Sequence, residues 1–416
     1  MKKLLAVLLA TMLVLSCVSF ATAEETKTLT LLIHPTLYLA AGGDEPNGVV
    51  KLFEQEHNCT VEVVTATDAM SKAMLDFIAQ GGTYDVINVN GPEYTDLNAP
   101  NFLVLDDYFA NDEAYDFADL LPGPCGVCRW NDQQVGVPYR MSQNLIYYRT
   151  DLFEEAGLTV PDDWNNVYEV AKALSKDTDG DGKLDIYGYA CAGKGEELAH
   201  GWLSVFYGLG GVFVDENGKA GFDSESGIRA AQLYADLYQD GLLPSDVFAW
   251  GRDDYITAMA QGRVAFGAFT GAYYGRFFDG LITPEQVGFA PLPNGGANRS
   301  NGWFLSVSKY SKNPDLAVEL LKALTNKENG LREAVEWSNG PVRTSTYEAE
   351  EFKAMWPQAE ALKISANYIV RDPALNNSSL MFETIAEELT FVMQGSKTAE
   401  QGMKDLAARV DELLAE

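Results

Sequence analysis

Over residues 28–89, segments in which apolar residues have the spacing of a strand alternate with segments in which they have the spacing of a helix. This order of segments constrains the fold more than any other feature. Thr28 to Ile33, Cys59 to Thr65 and Tyr84 to Val89 are typical of strands. Residues 48–56 and 68–78 carry apolar residues at helical spacing. The order strand, helix, strand, helix, strand predicts a parallel, doubly wound α/β sheet.

The loops that follow the first and third of these strands are the predicted ligand-facing loops. In doubly wound sheets, ligands bind beyond the carboxyl ends of the strands. His34 begins the first loop, and Asn90, Glu93 and Tyr94 lie in the second. We therefore predict that these four polar or aromatic side chains face a binding cleft.

Residues 136–190 predict a passage into a second α/β domain. Gly136 to Tyr148 is typical of extended backbone, and a short helix over 151–156 is predicted to end at Gly157. A second helix follows Pro161, and further helices are expected over 226–240, from about 253, and across the C-terminal third, including one over 347–355. With 416 residues, the chain is long enough to build two substantial cores.

The charge balance restricts the classes of partner. Asp and Glu number 60 against 30 Lys and Arg, which gives a formal net charge of −30. Such a surface repels nucleic acid and anionic membranes, so neither is an expected partner.

The first 23 residues are typical of a secretory signal. Lys2 and Lys3 precede an apolar run, and Ala21-Thr22-Ala23 has the pattern of a signal peptidase site. We expect export to the periplasm or to the outer face of the cytoplasmic membrane. The alternative is a lipid anchor on Cys17, which follows a loosely fitting lipobox.

Four cysteines follow the predicted leader, and two of them form a Cys-Gly-Val-Cys motif. In an exported chain this motif predicts a disulfide between Cys125 and Cys128, with free thiols as the alternative. Redox catalysis and metal binding are disfavoured because the motif lies in a loop rich in Pro and Gly.

An aspartate-rich loop resembles the first part of a calcium-binding loop. Its ligand positions are occupied by Asp177, Asp179, Asp181, Lys183 (through its carbonyl) and Asp185. Gly188 occupies the position where an EF-hand places a bidentate glutamate. The loop predicts either a structural calcium site or an empty Asp/Gly turn, and no other cofactor is expected.

Several segments together resemble the extracellular solute-binding proteins of bacterial ABC importers, in the branch of the maltose-binding protein. The resemblance rests on residues 136–190, 222–244 (FDSESGIRAAQLYADLYQDGLLP), 256–269 (ITAMAQGRVAFGAF) and 291–325. It implies a two-lobed periplasmic-binding-protein fold of type II, in which mainly parallel sheets flanked by helices are joined by a multi-segment hinge.

The same resemblance implies how the chain divides between the lobes. Residues 24–142 and 303–345 would form the N-terminal lobe, and residues 143–302 and 346–416 the C-terminal lobe. It also implies ligand contacts for Glu197 and Trp202 in GEELAHGW, for Tyr273, and for Trp303 in a Gly-Trp pair. Further candidates near the predicted cleft are Tyr139, Arg140, Asn144, Trp250 and Arg343.

The expected function is a monomeric, non-enzymatic receptor that binds a carbohydrate between the lobes and delivers it to the membrane subunits of an ABC importer. Aromatic faces and polar forks of the kind just named suit a sugar. Alternatives within the fold are a polyamine or a glycerol phosphodiester. Other classes are a glycoside-acting enzyme using Glu197 and Glu93, or a calcium-dependent adhesin. The sequence contains no GxSxG, HExxH or Walker motif.

Overall fold

The protein is represented by a computed structural model that describes residues 26–296, 298–299, 302–370, 372–373 and 378–415. Within these ranges, the side chains of residues 272–274, 296, 298, 299 and 378 are not described. The predicted leader, with Cys17, lies outside the described residues. Among the helices of the described part, none has the length and apolar character that a membrane span needs.

The first lobe is built on a five-stranded sheet with the order β2-β1-β3-β12-β6. Its strands are β1 (Lys27–Ile33), β2 (Cys59–Thr65), β3 (Val86–Asn90), β6 (Val137–Met141) and β12 (Gly302–Val307). The first three are mutually parallel, and β12 runs antiparallel to both β3 and β6. The predicted parallel sheet is therefore present, and a late segment of the chain completes it.

The second lobe is built on a four-stranded sheet with the order β10-β7-β9-β8. Its strands are β7 (Asn144–Arg149), β8 (Tyr187–Tyr189), β9 (Val264–Thr270) and β10 (Val287–Ala290). Strand β7 is antiparallel to β9 and β10, whereas β8 and β9 are parallel. Two small sheets pair β4 (Arg129–Trp130) with β5 (Gln133–Gln134) and β11 (Asn298–Arg299) with β13 (Ile369–Val370).

Helices flank both sheets. In chain order they are α1 (Val49–His57), α2 (Ala69–Ala79), α3 (Asp106–Phe109), α4 (Pro122–Val127), α5 (Thr150–Ala156), α6 (Val167–Leu174), α7 (Glu196–Gly208), α8 (Glu225–Gln239), α9 (Arg252–Ala260), α10 (Pro314–Thr325), α11 (Lys327–Glu336), α12 (Thr344–Glu348), α13 (Glu350–Met355), α14 (Ala359–Ala366), α15 (Ser378–Met393) and α16 (Ala399–Leu414). Short 3-10 turns include Pro35–Leu37, Gly91–Glu93 and Gly271–Phe278.

One predicted helix is divided in the structure. The pattern over 347–355 predicts a single helix, but α12 ends and α13 begins on either side of Ala349, which has extended backbone. The apolar residues of both pieces, Tyr347 and Phe352, still pack into the same cluster with Leu145 of β7. Tertiary packing has therefore kept the apolar pattern and broken the backbone helix.

Gly340 allows the connecting segments between the sheets to pack backbone against backbone, and Gly302 leaves room for the Met141 side chain. The chain leaves β6 at Met141 and enters β7 at Asn144, and the segment around Gly340 lies beside this passage. A Cβ atom at Gly340 would lie 1.8 Å from the Met141 carbonyl oxygen, and one at Gly302 would lie 2.2 Å from the Met141 sulfur. Residues 140–144 thus connect the two lobes in a tightly packed setting.

Candidate ligand-binding cleft

The first lobe presents an aromatic and cationic face at the carboxyl ends of its strands. The rings of His34, after β1, and Trp303, in β12, lie 4.5 Å apart between centroids. The Arg140 guanidinium lies over the same indole, 5.5 Å from its centroid. Burial, and secondarily the charge of Arg140, lower the pKa of His34, which favours a neutral imidazole. All three side chains are half-buried, as expected at the wall of a cleft.

Asn90 and Glu93 lie next to this face. Glu93 Oε2 accepts a hydrogen bond of 2.7 Å from the Asn90 backbone N–H, so the two residues cap the short turn after β3. Burial raises the pKa of the Glu93 carboxyl, and the bonds from Asn90 oppose that effect. Asn90 is exposed and pairs with Trp303 across the sheet, which places it on the same edge.

The second lobe contains a pocket of about 90 Å³ that opens to solvent. We call it the second-lobe pocket. Its lining residues are Ser142, Asn144, Tyr189, Cys191, Ala192, Glu197, His200, Gly201, Tyr234, Arg252, Ala268, Phe269 and Thr270. Ser142 and Asn144 belong to the passage between the lobes, so the pocket continues toward the face that carries Arg140.

A carboxylate and a guanidinium meet at this pocket. Arg252 Nη2 donates to Glu197 Oε1 at 2.7 Å. The two side chains are 46% and 30% exposed, so solvent or a ligand can reach both groups. Ser142 Oγ and Thr270 Oγ1, which also belong to residues lining the pocket, lie 2.6 Å apart. The pocket therefore offers donors and acceptors whose charges largely cancel.

The floor of the second-lobe pocket is formed by buried, uncharged polar groups. Tyr189, Cys191 and Tyr234 are each at most 3% exposed. Burial raises the pKa of the Cys191 thiol to about 12, and it raises the pKa of Tyr234 well above its ordinary value. These groups are protonated at physiological pH and can exchange hydrogen bonds with a neutral ligand.

Five predicted ligand residues are buried in the structure, and their ligand contacts stay predictions that this burial does not favour. They are Trp202, Tyr94, Arg343, Tyr139 and Trp250, which are 0%, 1%, 1%, 4% and 5% exposed. The Trp202 ring stacks on that of Phe206, with 5.2 Å between centroids, inside the hydrophobic core of the second lobe. The Trp250 ring packs in a further cluster beneath Arg263. Neither indole reaches the cleft.

The two tyrosine hydroxyls among them, and two of the three Arg343 nitrogens, have partners within the protein. The hydroxyl of Tyr94 lies 2.9 Å from Ser306 Oγ, and that of Tyr139 donates to Glu333 Oε1 at 3.1 Å. Arg343 Nε donates to the Thr325 carbonyl at 2.8 Å, and Arg343 Nη1 forms an ion pair with Asp119 Oδ2 at 3.3 Å. These bonds hold the side chains inside the protein, whereas Arg343 Nη2 and the Trp202 indole nitrogen are buried without a hydrogen-bond partner among the described residues.

Tyr273 lies in the 3-10 turn that follows β9, but its side chain is outside the described part of the chain. Its predicted stacking role therefore stays a prediction. The same holds for the ligand contacts of seven other residues. Glu197 and Asn144 line the second-lobe pocket, and Arg140, Trp303, His34, Asn90 and Glu93 lie together at one edge of the first sheet.

The predicted disulfide is absent, because Cys125 and Cys128 are free thiols, as are Cys59 and Cys191. Cys125 lies within α4 and Cys128 just after it, so the residues follow a helical turn. Cys128 Sγ donates to the Gly136 carbonyl at 3.2 Å and receives a bond of 3.0 Å from Gln134. Hydrogen bonding thus occupies the sulfur that the disulfide would need.

The aspartate loop forms a compact exposed turn. Ligand oxygens of Asp177, Asp179 and Asp185 all lie within 4.8 Å of one another. Asp177 accepts bonds from the N–H groups of Gly180 and Gly182, at 2.7 and 2.9 Å. The convergent carboxylates fit a hard cation. The same hydrogen bonds would also close the turn without one, so both alternatives from the sequence stay open.

The sequence prediction missed several polar residues of the second-lobe pocket, namely Ser142, Cys191, His200, Tyr234, Arg252 and Thr270. For His200 and Gly201 a signal existed, because they follow Glu197 at three and four residues and so share its helix face. Trp202 follows at five residues, on the face turned toward the core. No comparable local signal points to Tyr234, which comes from a different helix.

The family model and the similar proteins point to the same family. The family model of the bacterial extracellular solute-binding proteins matches residues 38–331. A probable ABC transporter-binding protein of Deinococcus radiodurans is 29% identical over 229 residues, covering 52% of this chain and 53% of its own. A probable amino-acid ABC transporter periplasmic-binding protein of Sinorhizobium fredii is 24% identical over 297 residues, covering 69% and 65%. The chain thus spans only about half to two thirds of these two relatives.

Other similar proteins have names that mention sugars or polyols. A mannitol-binding protein of Pseudomonas aeruginosa is 25% identical over 327 residues, covering 74% of this chain and 73% of its own. The solved structure of the sugar-binding protein MalE from Xanthomonas citri superposes with a TM-score of 0.80 at 21% identity, covering 94% and 98%.

A solute-binding protein of Agrobacterium radiobacter, solved in complex with ribitol, has a TM-score of 0.71 at 18% identity, covering 93% of this chain and 98% of its own. These likenesses show the two-lobed fold, and the family match extends over more than half of the sequence. The chain belongs to the bacterial extracellular solute-binding protein family.

Proposed function

We propose that the protein is an extracytoplasmic receptor that binds a neutral sugar or polyol in the cleft between its lobes. The observation that carries this proposal is the composition of the two walls. The first lobe offers the Trp303 indole, and the second offers the Glu197–Arg252 pair with hydroxyls around it. An aromatic face suits the C–H surface of a sugar, while charged forks and hydroxyls suit its oxygens.

The charge of the cleft favours a neutral ligand. The Glu197 carboxylate is already paired with Arg252, burial raises the pKa of Glu93, and His34 is biased toward its neutral form. A polyamine would need unpaired carboxylates, and a glycerol phosphodiester would need several convergent arginines. The names of similar proteins that mention mannitol, sugar and ribitol support the same class of ligand.

A second candidate ligand is an amino acid, because one relative carries that name. Amino acids bring both a carboxylate and an ammonium, which Arg252 and Glu197 could bind only by separating from each other. That separation costs part of the pair's own interaction, so we rank this candidate second.

The mechanism that we propose is ligand-driven closure. A solute that contacts both walls binds more tightly to the closed arrangement, and its differential affinity sets how far closure is favoured. The closed receptor would then deliver the solute to the membrane subunits of an ABC importer. In this account the protein has no catalytic step, and an exported location follows from the family and from the predicted leader, with or without an anchor at Cys17.

The experiment is a thermal-unfolding screen in which each compound is added separately. The sugars and polyols are D-mannitol, ribitol, D-tagatose and maltose, and the alternative ligands are glycine betaine, spermidine, glycerol 3-phosphate and a set of amino acids. A ligand present at 100 times its Kd stabilises the folded state by about 2.7 kcal/mol. We expect stabilisation by at least one sugar or polyol. Stabilisation by amino acids, spermidine or glycerol 3-phosphate alone would refute the proposed ligand class.

A further inference from the structure

The floor of the second-lobe pocket contains a tyrosine hydroxyl that makes no well-formed hydrogen bond to any described residue. Tyr234, on α8, is 1% exposed, and its hydroxyl is buried without a hydrogen-bond partner among the described residues. The neighbouring Tyr189 hydroxyl interacts with it, through its charge and a weak hydrogen-bond-like contact that both contribute to the raised pKa of Tyr234. By distance and angle, however, this contact does not satisfy the Tyr234 hydroxyl. An unpartnered buried hydroxyl costs about 1–3 kcal/mol, so its retention calls for an explanation.

A glycine on the facing helix leaves room beside this hydroxyl. Gly201 lies in the interior of α7, where glycine costs about 1 kcal/mol relative to alanine. A Cβ atom at Gly201 would lie 3.2 Å from the Tyr234 hydroxyl oxygen, and both residues line the pocket. The helix thus carries its least favourable ordinary residue at the point where a side chain would shield the hydroxyl from the pocket.

The surroundings of the hydroxyl are polar without being charged. The Cys191 thiol is beside it at the floor, and the charged pair of Glu197 and Arg252 lies nearer the solvent. An ionised ligand group at this depth would have to lose its hydration without gaining an opposite charge, which is costly. A ligand hydroxyl has no such cost, since it can both donate and accept.

We propose that the Tyr234 hydroxyl is a ligand-binding group that forms a hydrogen bond with a terminal hydroxyl or hydroxymethyl group of the solute. This inference rests on the proposed function and refines it. Tyr234 would select neutral, polyhydroxylated solutes that can insert one end below the Glu197–Arg252 pair. Analogues that lack the inserted hydroxyl would leave the Tyr234 group unpaired and bind less tightly.

The test compares two Tyr-to-Phe variants of the purified protein. Tyr234→Phe removes only the hydroxyl at the pocket floor. Tyr115→Phe is the matched control, since Tyr115 is also buried but its hydroxyl lies 2.8 Å from Thr325 Oγ1, in the other lobe. Titration calorimetry with D-mannitol, ribitol, D-tagatose and maltose gives the Kd of each probe, and thermal unfolding without ligand gives each midpoint.

We expect Tyr234→Phe to weaken the best-bound probe by about 10-fold, equal to about 1.4 kcal/mol, without lowering the ligand-free midpoint. Tyr115→Phe should lower that midpoint and leave the Kd unchanged. The inference is overturned if Tyr234→Phe binds the probe as tightly as the wild type, or lowers the ligand-free midpoint as Tyr115→Phe does.

A second variant covers the case in which Tyr234→Phe does not fold. Gly201→Ala places a methyl group against the hydroxyl, while alanine favours the helix. It should remain folded and bind the same probe at least 10-fold more weakly, and unchanged binding would overturn the inference. If the wild type binds none of the four probes, it is the proposed function that fails. Equal binding by the wild type and the variants refutes the role of Tyr234 alone.

Discussion

At the scale of single residues, Glu197 is the side chain on which ligand binding should depend most. It lies in the first turn of α7 and accepts a bond of 2.7 Å from Arg252. Because both partners are partly exposed, their ion pair contributes little to stability and remains available to a ligand. The Glu197–Arg252 pair would favour binding by holding two polar groups in a fixed orientation before the ligand arrives.

We predict that Glu197→Gln weakens binding of the solute by roughly 10- to 100-fold, because a charge-assisted hydrogen bond is replaced by a neutral one. The unfolding free energy should change by less than about 1 kcal/mol. Asp253→Asn is the matched control, since it breaks another exposed pair, that with Arg276. Calorimetric titration checks both, and a Glu197→Gln protein with wild-type affinity would contradict this role.

A second residue-scale prediction concerns pH. Hydrogen bonding to the buried Arg149 lowers the pKa of Asp151 below its usual value near 3.8. Since the folded-state pKa is the lower one, this carboxylate contributes stability above the unfolded pKa, and the contribution is lost as pH falls through the folded pKa.

We therefore expect Asp151→Asn to cost about 1 kcal/mol at pH 7, a value reduced because the Asp151 side chain is 41% exposed. The difference from the wild type should shrink as pH falls toward 3. Urea unfolding at pH 7, 5 and 3 measures it. A difference in unfolding free energy that stays constant from pH 7 to pH 3 would show that the Asp151–Arg149 pair does not cause it.

At the scale of elements, α7 shows what sequence could and could not predict. The sequence prediction omits α7 as a helix, although its acidic first turn is a helix signal. It includes the strands β1 and β2 and the helix α16. The resemblance assigned Glu197 and Trp202 to the cleft together. Five residues correspond to about 140° around a helix, so one of the two had to face the core. The 3.6-residue period was the better guide here.

The passages between the sheets give an element-scale prediction. Gly340→Ala would place a methyl group 1.8 Å from the Met141 carbonyl oxygen, which forces the two backbone segments apart. We expect a loss of at least about 2 kcal/mol in the unfolding free energy. Gly126→Ala in α4 is the control, because a Cβ atom there meets nothing within 4 Å and alanine favours the helix. Equal stability of the two variants would contradict the close packing.

The aspartate loop carries another prediction at this scale. Its carboxylates accept backbone N–H bonds that close the turn, including Asp185 with Thr178 at 2.7 Å. We therefore expect EDTA to leave the thermal midpoint unchanged, and added Ca²⁺ to raise it only at concentrations near its Kd in this loop. A large loss of stability on chelation would instead identify a structural calcium ion, and Asp177→Asn should then remove the response.

At the scale of the whole molecule, two sheets with separate cores are joined by a few short segments, and this organisation suits closure about a hinge. The α/β class and the two lobes could be predicted from sequence because strand and helix periods are local. The pairing of β12 with β3 and β6 could not, since it joins residues more than 150 positions apart. The pocket floor at Tyr234 could not be predicted for the same reason, because it forms only where α7 and α8 pack together.

The most direct test of the central claim is small-angle X-ray scattering of the protein with and without the sugar or polyol that stabilises it most in the thermal screen. A receptor that closes on its ligand should show a smaller radius of gyration at saturation, and Glu197→Gln should require more ligand for the same decrease. A ligand that stabilises the protein but leaves the radius of gyration unchanged would contradict closure of the cleft on its solute.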